Sequence, residues 1–160
     1  GGEMIEHVSF EKTTYNVLPY KFEAGTPNYV GSYAFGRVLD YTQEVGLEAI
    51  ADYENELVEY MEEQLVLLQN VKIYAKGLKK LGAISFNVYR EDGALIHPFD
   101  IGVLLDRQGV AVRTGHHCAE PLIDYLHIPG TVRVSVAMYN TKEDIDALLA
   151  ALKKAIIMLE

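Results

Sequence analysis

The sequence of 160 residues has one cysteine, no tryptophan and no cluster of lysines and arginines. A single thiol rules out a disulfide within the chain. Because a free cysteine is typical of a reducing compartment, we expect a cytoplasmic protein. Lysine and arginine number 14 against 23 aspartates and glutamates, which gives a net charge of −9. Without a basic patch to neutralise phosphates, the sequence argues against binding to nucleic acid or to an anionic membrane.

Long apolar runs are also missing. No uninterrupted apolar stretch approaches the roughly 18 residues that a membrane-spanning helix needs. The opening segment, Gly1 to Ile5, has neither the basic nor the apolar part of a signal peptide. We therefore expect no membrane span and no secretion signal. Because the first residue is glycine rather than methionine, we expect the chain to be a fragment or a processed product.

The composition that remains is typical of a globular protein, with 49% hydrophobic and 23% charged residues. Helical and strand patterns alternate along the chain. They predict an α/β fold with a small sheet and helices packed mainly on one face. The predicted helices begin after Asn28, after Gly46, at Pro98 and after Thr141, and the predicted strands cover residues 83–89, 110–112 and 131–136.

Two of these helices have clear apolar stripes that we expect to face the core. The stripe of the second helix is Leu47, Ile50, Leu57, Met61, Leu65 and Leu68. The stripe of the last helix is Ile145, Leu148, Leu149, Leu152 and Ile156. The last helix also has Thr141 at the N-cap and Asp144 at the third helical position, where a capping box usually has Glu or Gln.

The densest chemical segment runs from Arg113 to Ala119 and contains His116, His117 and Cys118. A lone cysteine is more often an inert buried residue than a nucleophile. Here Cys118 follows a predicted strand in a polar loop, where catalytic groups tend to lie. The nearby guanidinium and imidazoles favour a thiolate, which is the reactive form. The segment therefore indicates a nucleophilic cysteine.

Two other interpretations of this segment are weaker. Adjacent residues rarely converge on one tetrahedral zinc ion, and the sequence has no second Cys/His pair at ligand spacing. We therefore predict no metal site. A papain-like protease is also unfavoured because neither local signature of such enzymes is present.

Arg133 is the second unusual residue, because it lies in a strand of alternating valines on the face opposite to them. It has two possible roles at this point. It faces solvent on the strand surface, or it binds a carboxylate through two parallel hydrogen bonds. In the second case it lies close to Cys118, provided that the strands of Arg113 and Arg133 are neighbours.

A turn precedes the first predicted helix. Gly25 permits close backbone approach, Pro27 restricts the chain, and Asn28 is a plausible N-cap. Such a turn can present the N–H groups and the Thr26 hydroxyl to a phosphate. Its simpler role is that of a loop that starts a helix, which accounts for Pro27 and Asn28 but not for Gly25 and Thr26.

Several segments, in this order, resemble one family. Residues 112–122 closely resemble the active-cysteine segment of SUF-type cysteine desulfurases. These are pyridoxal-phosphate enzymes of the class V aminotransferase family, a group that also includes selenocysteine lyases. Residues 22–28 resemble the family's phosphate-contacting turn, and residues 132–141 resemble its substrate-arginine strand and the following helix cap. Residues 1–5 are similar to a segment just upstream of the turn.

The resemblance implies the C-terminal part of a fold-type I pyridoxal-phosphate enzyme. Residues 1–28 then form the tail of the large cofactor domain, including the phosphate-contacting turn, and residues 29–160 form the small domain. In this family the lysine that binds the cofactor covalently precedes the segment that Gly1 begins. We therefore expect the isolated chain to be inactive.

The resemblance also implies roles for single residues. Cys118 takes the sulfur of L-cysteine as a persulfide, and L-alanine is released. Arg133 holds the substrate carboxylate, and Arg113 either assists it or braces the loop. His116 or His117 moves a proton or orients the thiol.

The remaining implications concern partners. Gly25 and Thr26 contact the cofactor phosphate of the other subunit in a homodimer. A SUF-type acceptor protein then takes the sulfur for iron–sulfur cluster assembly. Two alternatives stay open at this point. The enzyme is a selenocysteine lyase, or the isolated chain is a cofactor-free module that dimerises or docks the acceptor.

Overall fold

A computed structural model describes residues 2–160 as two compact units, one that runs to Gly46 and one that spans Leu47–Glu160. Gly1, which opens the segment of family resemblance, lies outside the described residues. The domain boundary expected after residue 28 stays a prediction. The helices are α1 (Tyr29–Val45), α2 (Leu47–Val66), α3 (Pro98–Asp106), α4 (Glu120–Tyr125) and α5 (Lys142–Leu159). The strands are β1 (Ile5–Val8), β2 (Thr13–Tyr15), β3 (Val71–Ile73), β4 (Ala83–Tyr89), β5 (Leu95–Ile96), β6 (Arg113–Gly115) and β7 (Thr131–Ser135).

The first unit contains an antiparallel hairpin of β1 and β2, followed by α1. The hairpin was not predicted, because its strands are short and mostly exposed and so lack an apolar alternation. The start of α1 confirms the predicted cap. The side-chain oxygen of Asn28 accepts a hydrogen bond from the backbone N–H of Gly31 at 2.9 Å.

The second unit is built on an antiparallel sheet with the strand order β3-β4-β7-β6, and β5 pairs with β4. In β4 the alternating residues Ile84, Phe86 and Val88 are buried at 0–1% exposure, and they pack in one core with residues of α2, α3 and α5. The predicted α/β class is therefore confirmed, with a small sheet and the helices that form its core on one face. None of the helices within residues 2–160 has both the length and the apolarity needed to cross a membrane.

The apolar stripe of α5 is buried as predicted, and its capping box is present. In α2 the buried residues are Leu57, Val58, Met61 and Leu65. Leu47 is an exception, because its side chain is 59% exposed at the first position of the helix. The buried part of the α2 stripe therefore starts later than the sequence predicts.

The strand predicted at residues 110–112 is wrong by three positions, because the paired residues are Arg113–Gly115. Val110 and Val112 pack against the core from outside the ladder. The backbone N–H of Val110 instead donates to the carbonyl of Leu105 at the end of α3. Apolar content signalled burial here rather than strand pairing. The shift places Arg113 inside the sheet ladder.

Asp144 is expected to stabilise the start of α5 in a pH-dependent way. Its carboxylate accepts hydrogen bonds from the Thr141 backbone N–H at 3.0 Å and from the Asn140 amide at 3.2 Å. These bonds, that of Thr141 first, hold the pKa of Asp144 below its ordinary value of 3.8. Because the folded-state pKa is depressed, this stabilisation is present above pH 3.8 and is lost as pH falls through the folded-state pKa.

The variant Asp144→Ala should therefore lower the urea midpoint of unfolding at pH 7, and the difference from the unmodified protein should shrink at acid pH. Asp52→Ala, which changes an exposed carboxylate on α2, is the control and should have little effect at either pH. A loss in Asp144→Ala that is equally large at pH 7 and at acid pH would contradict the role of the charged carboxylate.

Candidate functional site

The candidate site lies on the face of the sheet that points away from the helices. Arg113 of β6 stands directly opposite Arg133 of β7, and Gly115 stands opposite Thr131. The prediction that the two arginine strands are neighbours is confirmed. The flanking residues Val132 and Val134 are buried, so the half-buried Arg133 projects from the other face.

Cys118 is exposed in the loop that follows β6. The Arg113 guanidinium donates a hydrogen bond from Nη2 to the Cys118 sulfur at 3.4 Å. A guanidinium is a charged donor, and hydrogen bonds from charged donors are stronger than those between neutral groups. His117 and Cys118 have φ values of 56° and 60°, in the left-handed region that residues other than glycine rarely adopt. The loop therefore presents the thiol to solvent through an uncommon backbone conformation.

His117 is half-buried and contacts β7. Its Nε2 lies 2.8 Å from the Thr131 hydroxyl oxygen and 3.2 Å from the Thr131 carbonyl oxygen. Burial lowers the pKa of His117, and the positive charges of Arg133 and Arg113 act in the same direction. The ring is therefore uncharged at neutral pH.

His116 has a different environment, although it is adjacent in sequence. Its side chain is exposed, and its Nδ1 lies 3.9 Å from a carboxylate oxygen of Glu120, beyond hydrogen-bonding distance. The structure thus separates the two histidines, one held against the sheet and one on the solvent side.

Sequence reasoning missed Asn87, which is fully buried in β4. Its amide group donates to the Gly130 carbonyl at 3.0 Å and to the Tyr74 hydroxyl at 3.1 Å. Burial raises the pKa of Tyr74 to about 12, and its neighbour Tyr89 acts in the same direction, so Tyr74 stays protonated. The available signal was a lone amide side chain within an otherwise apolar strand.

Three buried polar atoms of the second unit lack a hydrogen-bond partner among residues 2–160: Asn87 Oδ1, His117 Nδ1 and Arg133 Nε. A buried polar atom without a partner costs about 1–3 kcal/mol. Native structures hold few such atoms, and each calls for an explanation. Since two of the three belong to the loop and strand around Cys118, they indicate that this face binds a polar group.

Gly25 and Thr26 lie in the first unit, in the turn before α1, and both are exposed. Among residues 2–160, nothing lies within 4 Å of the position that a Cβ atom of Gly25 would occupy. The turn is therefore open to a ligand, which fits a phosphate contact, and this role stays a prediction. Among residues 2–160, no group of three His, Cys, Asp or Glu side chains is arranged to hold a metal ion.

Comparison with known proteins identifies the family. Residues 1–148 match the family described as aminotransferase class V. The chain belongs to the class V aminotransferase family. Members of this family depend in general on pyridoxal phosphate, and the lysine that binds it lies outside this chain.

Several relatives of the chain are named as cysteine desulfurases. A probable cysteine desulfurase of Halalkalibacterium halodurans is 43% identical over 154 residues, and a cysteine desulfurase of Serratia proteamaculans is 43% identical over 155 residues. The alignments cover 96% of this chain but only 36% and 37% of the two relatives. The chain thus spans little more than a third of their length.

Solved class V structures have the same fold. A cysteine desulfurase of Escherichia coli matches with a TM-score of 0.80 at 32% identity, over 100% of this chain and 38% of that one. A cysteine desulfurase of Thermococcus onnurineus also matches with a TM-score of 0.80, at 36% identity, over 99% of this chain and 39% of that one. The resemblance to cysteine desulfurases of the class V aminotransferase family is confirmed, and the SUF type stays a prediction.

The contact between Arg113 and Cys118 predicts the reactivity of the thiol. Arg113→Gln removes the cationic donor, so iodoacetamide should alkylate Cys118 more slowly at pH 7. One net hydrogen bond contributes about 1 kcal/mol, which corresponds to roughly a fivefold lower rate. Arg107→Gln, at an exposed arginine outside the loop, is the control and should react at the unmodified rate. An unchanged rate in Arg113→Gln would show that the guanidinium does not stabilise the thiolate.

Proposed function

We propose that the chain is the C-terminal portion of a pyridoxal-phosphate-dependent cysteine desulfurase. The full-length enzyme converts L-cysteine to L-alanine and leaves the sulfur as a persulfide on Cys118. The observation that carries this proposal is the exposed Cys118 sulfur 3.4 Å from the Arg113 guanidinium, in the loop after a strand paired with that of Arg133. Relatives named cysteine desulfurase support it.

The proposal includes a larger protein. Residues 1–28 belong to its cofactor domain and residues 29–160 to its small domain. Two observations support the larger protein. The chain spans little more than a third of its relatives, and Tyr29, Tyr33 and Phe35 on α1 are each more than 60% exposed. Exposed apolar area of this kind marks surfaces that contact other protein.

Gly25 and Thr26 are proposed to bind the cofactor phosphate of the other subunit in a homodimer. The open turn supports this assignment, because a phosphate can approach its backbone N–H groups and its hydroxyl. Pyridoxal phosphate supplies an electron sink that stabilises the carbanion formed at the substrate α-carbon. The residues of this chain bind the substrate and receive its sulfur.

Arg133 is proposed to bind the substrate carboxylate. Its Nε is buried and has no partner among residues 2–160, so this donor lacks the acceptor that a carboxylate oxygen would supply. A guanidinium can hold a carboxylate with two parallel hydrogen bonds. Arg113, directly opposite in the ladder, adds positive charge beside the same anion while it contacts the thiol.

Cys118 is the proposed sulfur acceptor within the enzyme. Its thiolate attacks the substrate sulfur, so a sulfur–sulfur bond forms while the carbon–sulfur bond breaks and its electron pair stays with the carbon side. A proton then completes L-alanine. The uncharged His117 is suited to move this proton. The exposed His116 is the other candidate for moving the proton or orienting the thiol. Because Cys118 is exposed, its persulfide is also accessible to a SUF-type acceptor in iron–sulfur cluster assembly. We place this reaction in the cytoplasm.

The function is tested in the full-length enzyme with pyridoxal phosphate and L-cysteine. We expect equimolar L-alanine and protein-bound persulfide in a single turnover. Cys118→Ala should form no persulfide on the enzyme and keep the cofactor absorbance, because the thiol is the nucleophile and not a cofactor ligand. The 160-residue chain alone should release no alanine above a control without protein.

Three results would contradict the proposal. Persulfide formation in Cys118→Ala would place the nucleophile elsewhere. Faster turnover of L-selenocysteine than of L-cysteine would make the enzyme a selenocysteine lyase. If only the cofactor-free chain dimerises or binds an acceptor, and the full-length protein releases no alanine, the chain is an interaction module.

Arg133→Lys should raise the KM for L-cysteine more than its retained charge suggests. An ammonium cannot reproduce the fork of two parallel hydrogen bonds. Loss of one bond to a charged group costs about 1.5 kcal/mol, or roughly a tenfold rise in KM. Arg107→Lys is the matched control and should leave KM unchanged. An unchanged KM in Arg133→Lys would mean that this arginine is structural.

A further inference from the structure

Thr131 of β7 contacts the His117 ring through both its side chain and its backbone. Its side chain is 3% exposed, and both its hydroxyl and its carbonyl oxygen lie beside His117 Nε2, at 2.8 Å and 3.2 Å. The other ring nitrogen, Nδ1, is buried and has no partner within residues 2–160. The Nε2 atom thus has two contacts with Thr131, while the buried Nδ1 atom has no hydrogen-bond partner in the described residues.

These distances select one tautomer of the ring. A carbonyl oxygen has no hydrogen to donate, so its contact with Nε2 is attractive only when Nε2 carries the proton. The Nε2–H group then donates to the carbonyl and to the hydroxyl oxygen of Thr131. In a neutral imidazole the second nitrogen is left as a proton acceptor. His117 therefore presents an unprotonated Nδ1.

The surroundings of His117 keep the ring in this state. Burial is the largest cause that lowers the pKa of His117, and Arg133, Arg113 and His116 act in the same direction, whereas the backbone contact with Thr131 acts against them. A proton that reaches Nδ1 is therefore released easily. This behaviour suits a group that passes a proton on.

The backbone around Thr131 is also fixed. A Cβ atom on the preceding residue, Gly130, would lie 2.9 Å from the Gly115 Cα atom across the ladder, so the two strands approach closely there. From the other side, the buried Asn87 amide donates to the Gly130 carbonyl at 3.0 Å. Thr131 is therefore a rigid support for the ring.

We propose that Thr131 is a positioning residue that fixes the Nε2–H tautomer of His117 and so keeps Nδ1 available as a proton acceptor beside the Cys118 loop. The catalytic meaning of this inference rests on the proposed function. The tautomer itself is a property of the resting protein, and it can be measured without turnover.

The test uses Thr131→Val, which removes the hydroxyl at nearly constant volume, and Thr131→Ser, which keeps the hydroxyl. The full-length enzyme is labelled with ¹⁵N and ¹³C in histidine only, and His117→Gln identifies the His117 ring signals. In the unmodified enzyme and in Thr131→Ser we expect the Nε2–H tautomer. In Thr131→Val only the 3.2 Å contact with the backbone carbonyl still favours Nε2–H, so the ring nitrogens should shift part of the way towards tautomer averaging.

Kinetics provide the second measurement. The kcat for alanine release should fall roughly fivefold in Thr131→Val, the effect of about one hydrogen bond, while KM changes little. Thr131→Ser should restore kcat. The matched control is Thr114→Val on β6, where the side chain packs against Gly102 of α3 on the opposite face. This control should leave the His117 shifts and kcat unchanged.

Each outcome decides the inference. An Nδ1–H tautomer in the unmodified enzyme, or a Thr131→Val variant with unchanged ring shifts and unchanged kcat, would overturn it. A tautomer shift in Thr131→Val, in a protein that never releases alanine from L-cysteine, would support the positioning role and reject the desulfurase function. If Thr131→Val does not fold, Thr131→Ala is measured in the same way and is read by the same criteria.

Discussion

The pairing of β6 with β7 is the constraint on which the candidate site depends. It sets two arginines directly opposite each other, an arrangement that is unfavourable in an isolated ladder because like charges repel. The Arg113 guanidinium contacts the Cys118 sulfur. The buried Nε of Arg133 has no hydrogen-bond partner among residues 2–160. The repulsion is therefore consistent with the proposal that this face binds an anion.

The sheet divides stability and chemistry between its two faces. One face carries Phe86, Val132 and their neighbours, which are fully buried in the core with the helices. The other face carries Arg113, Arg133 and Thr131, whose polar groups point away from that core. Because successive strand residues alternate between faces, substitutions of polar residues on the site face leave the apolar packing intact.

Prediction from sequence succeeded where one periodic signal sufficed. The α5 stripe and its cap, and the alternation in β4, depend on local spacing, and the structure has them. The prediction of a strand at residues 110–112 was wrong. The valines there indicate burial, whereas strand pairing depends on a partner strand that is distant in the sequence. His116 and His117 are indistinguishable by composition, and only the three-dimensional contacts separate them. The role of Asn87 was missed for the same reason, since its partners lie 13 and 43 positions away.

The left-handed backbone at His117 and Cys118 explains how two neighbouring residues have different surroundings, one against the sheet and one in solvent. In the proposed function, a thiol that receives sulfur and later delivers it must be exposed, whereas a histidine that moves a proton must be held in one orientation. Non-glycine residues in the left-handed region cost of order 1–3 kcal/mol each when the surroundings impose them. The double contact of His117 with Thr131, on a strand fixed by Gly130, is a source of stabilisation that can offset this cost. The support that orients the imidazole therefore also maintains the turn that exposes the sulfur.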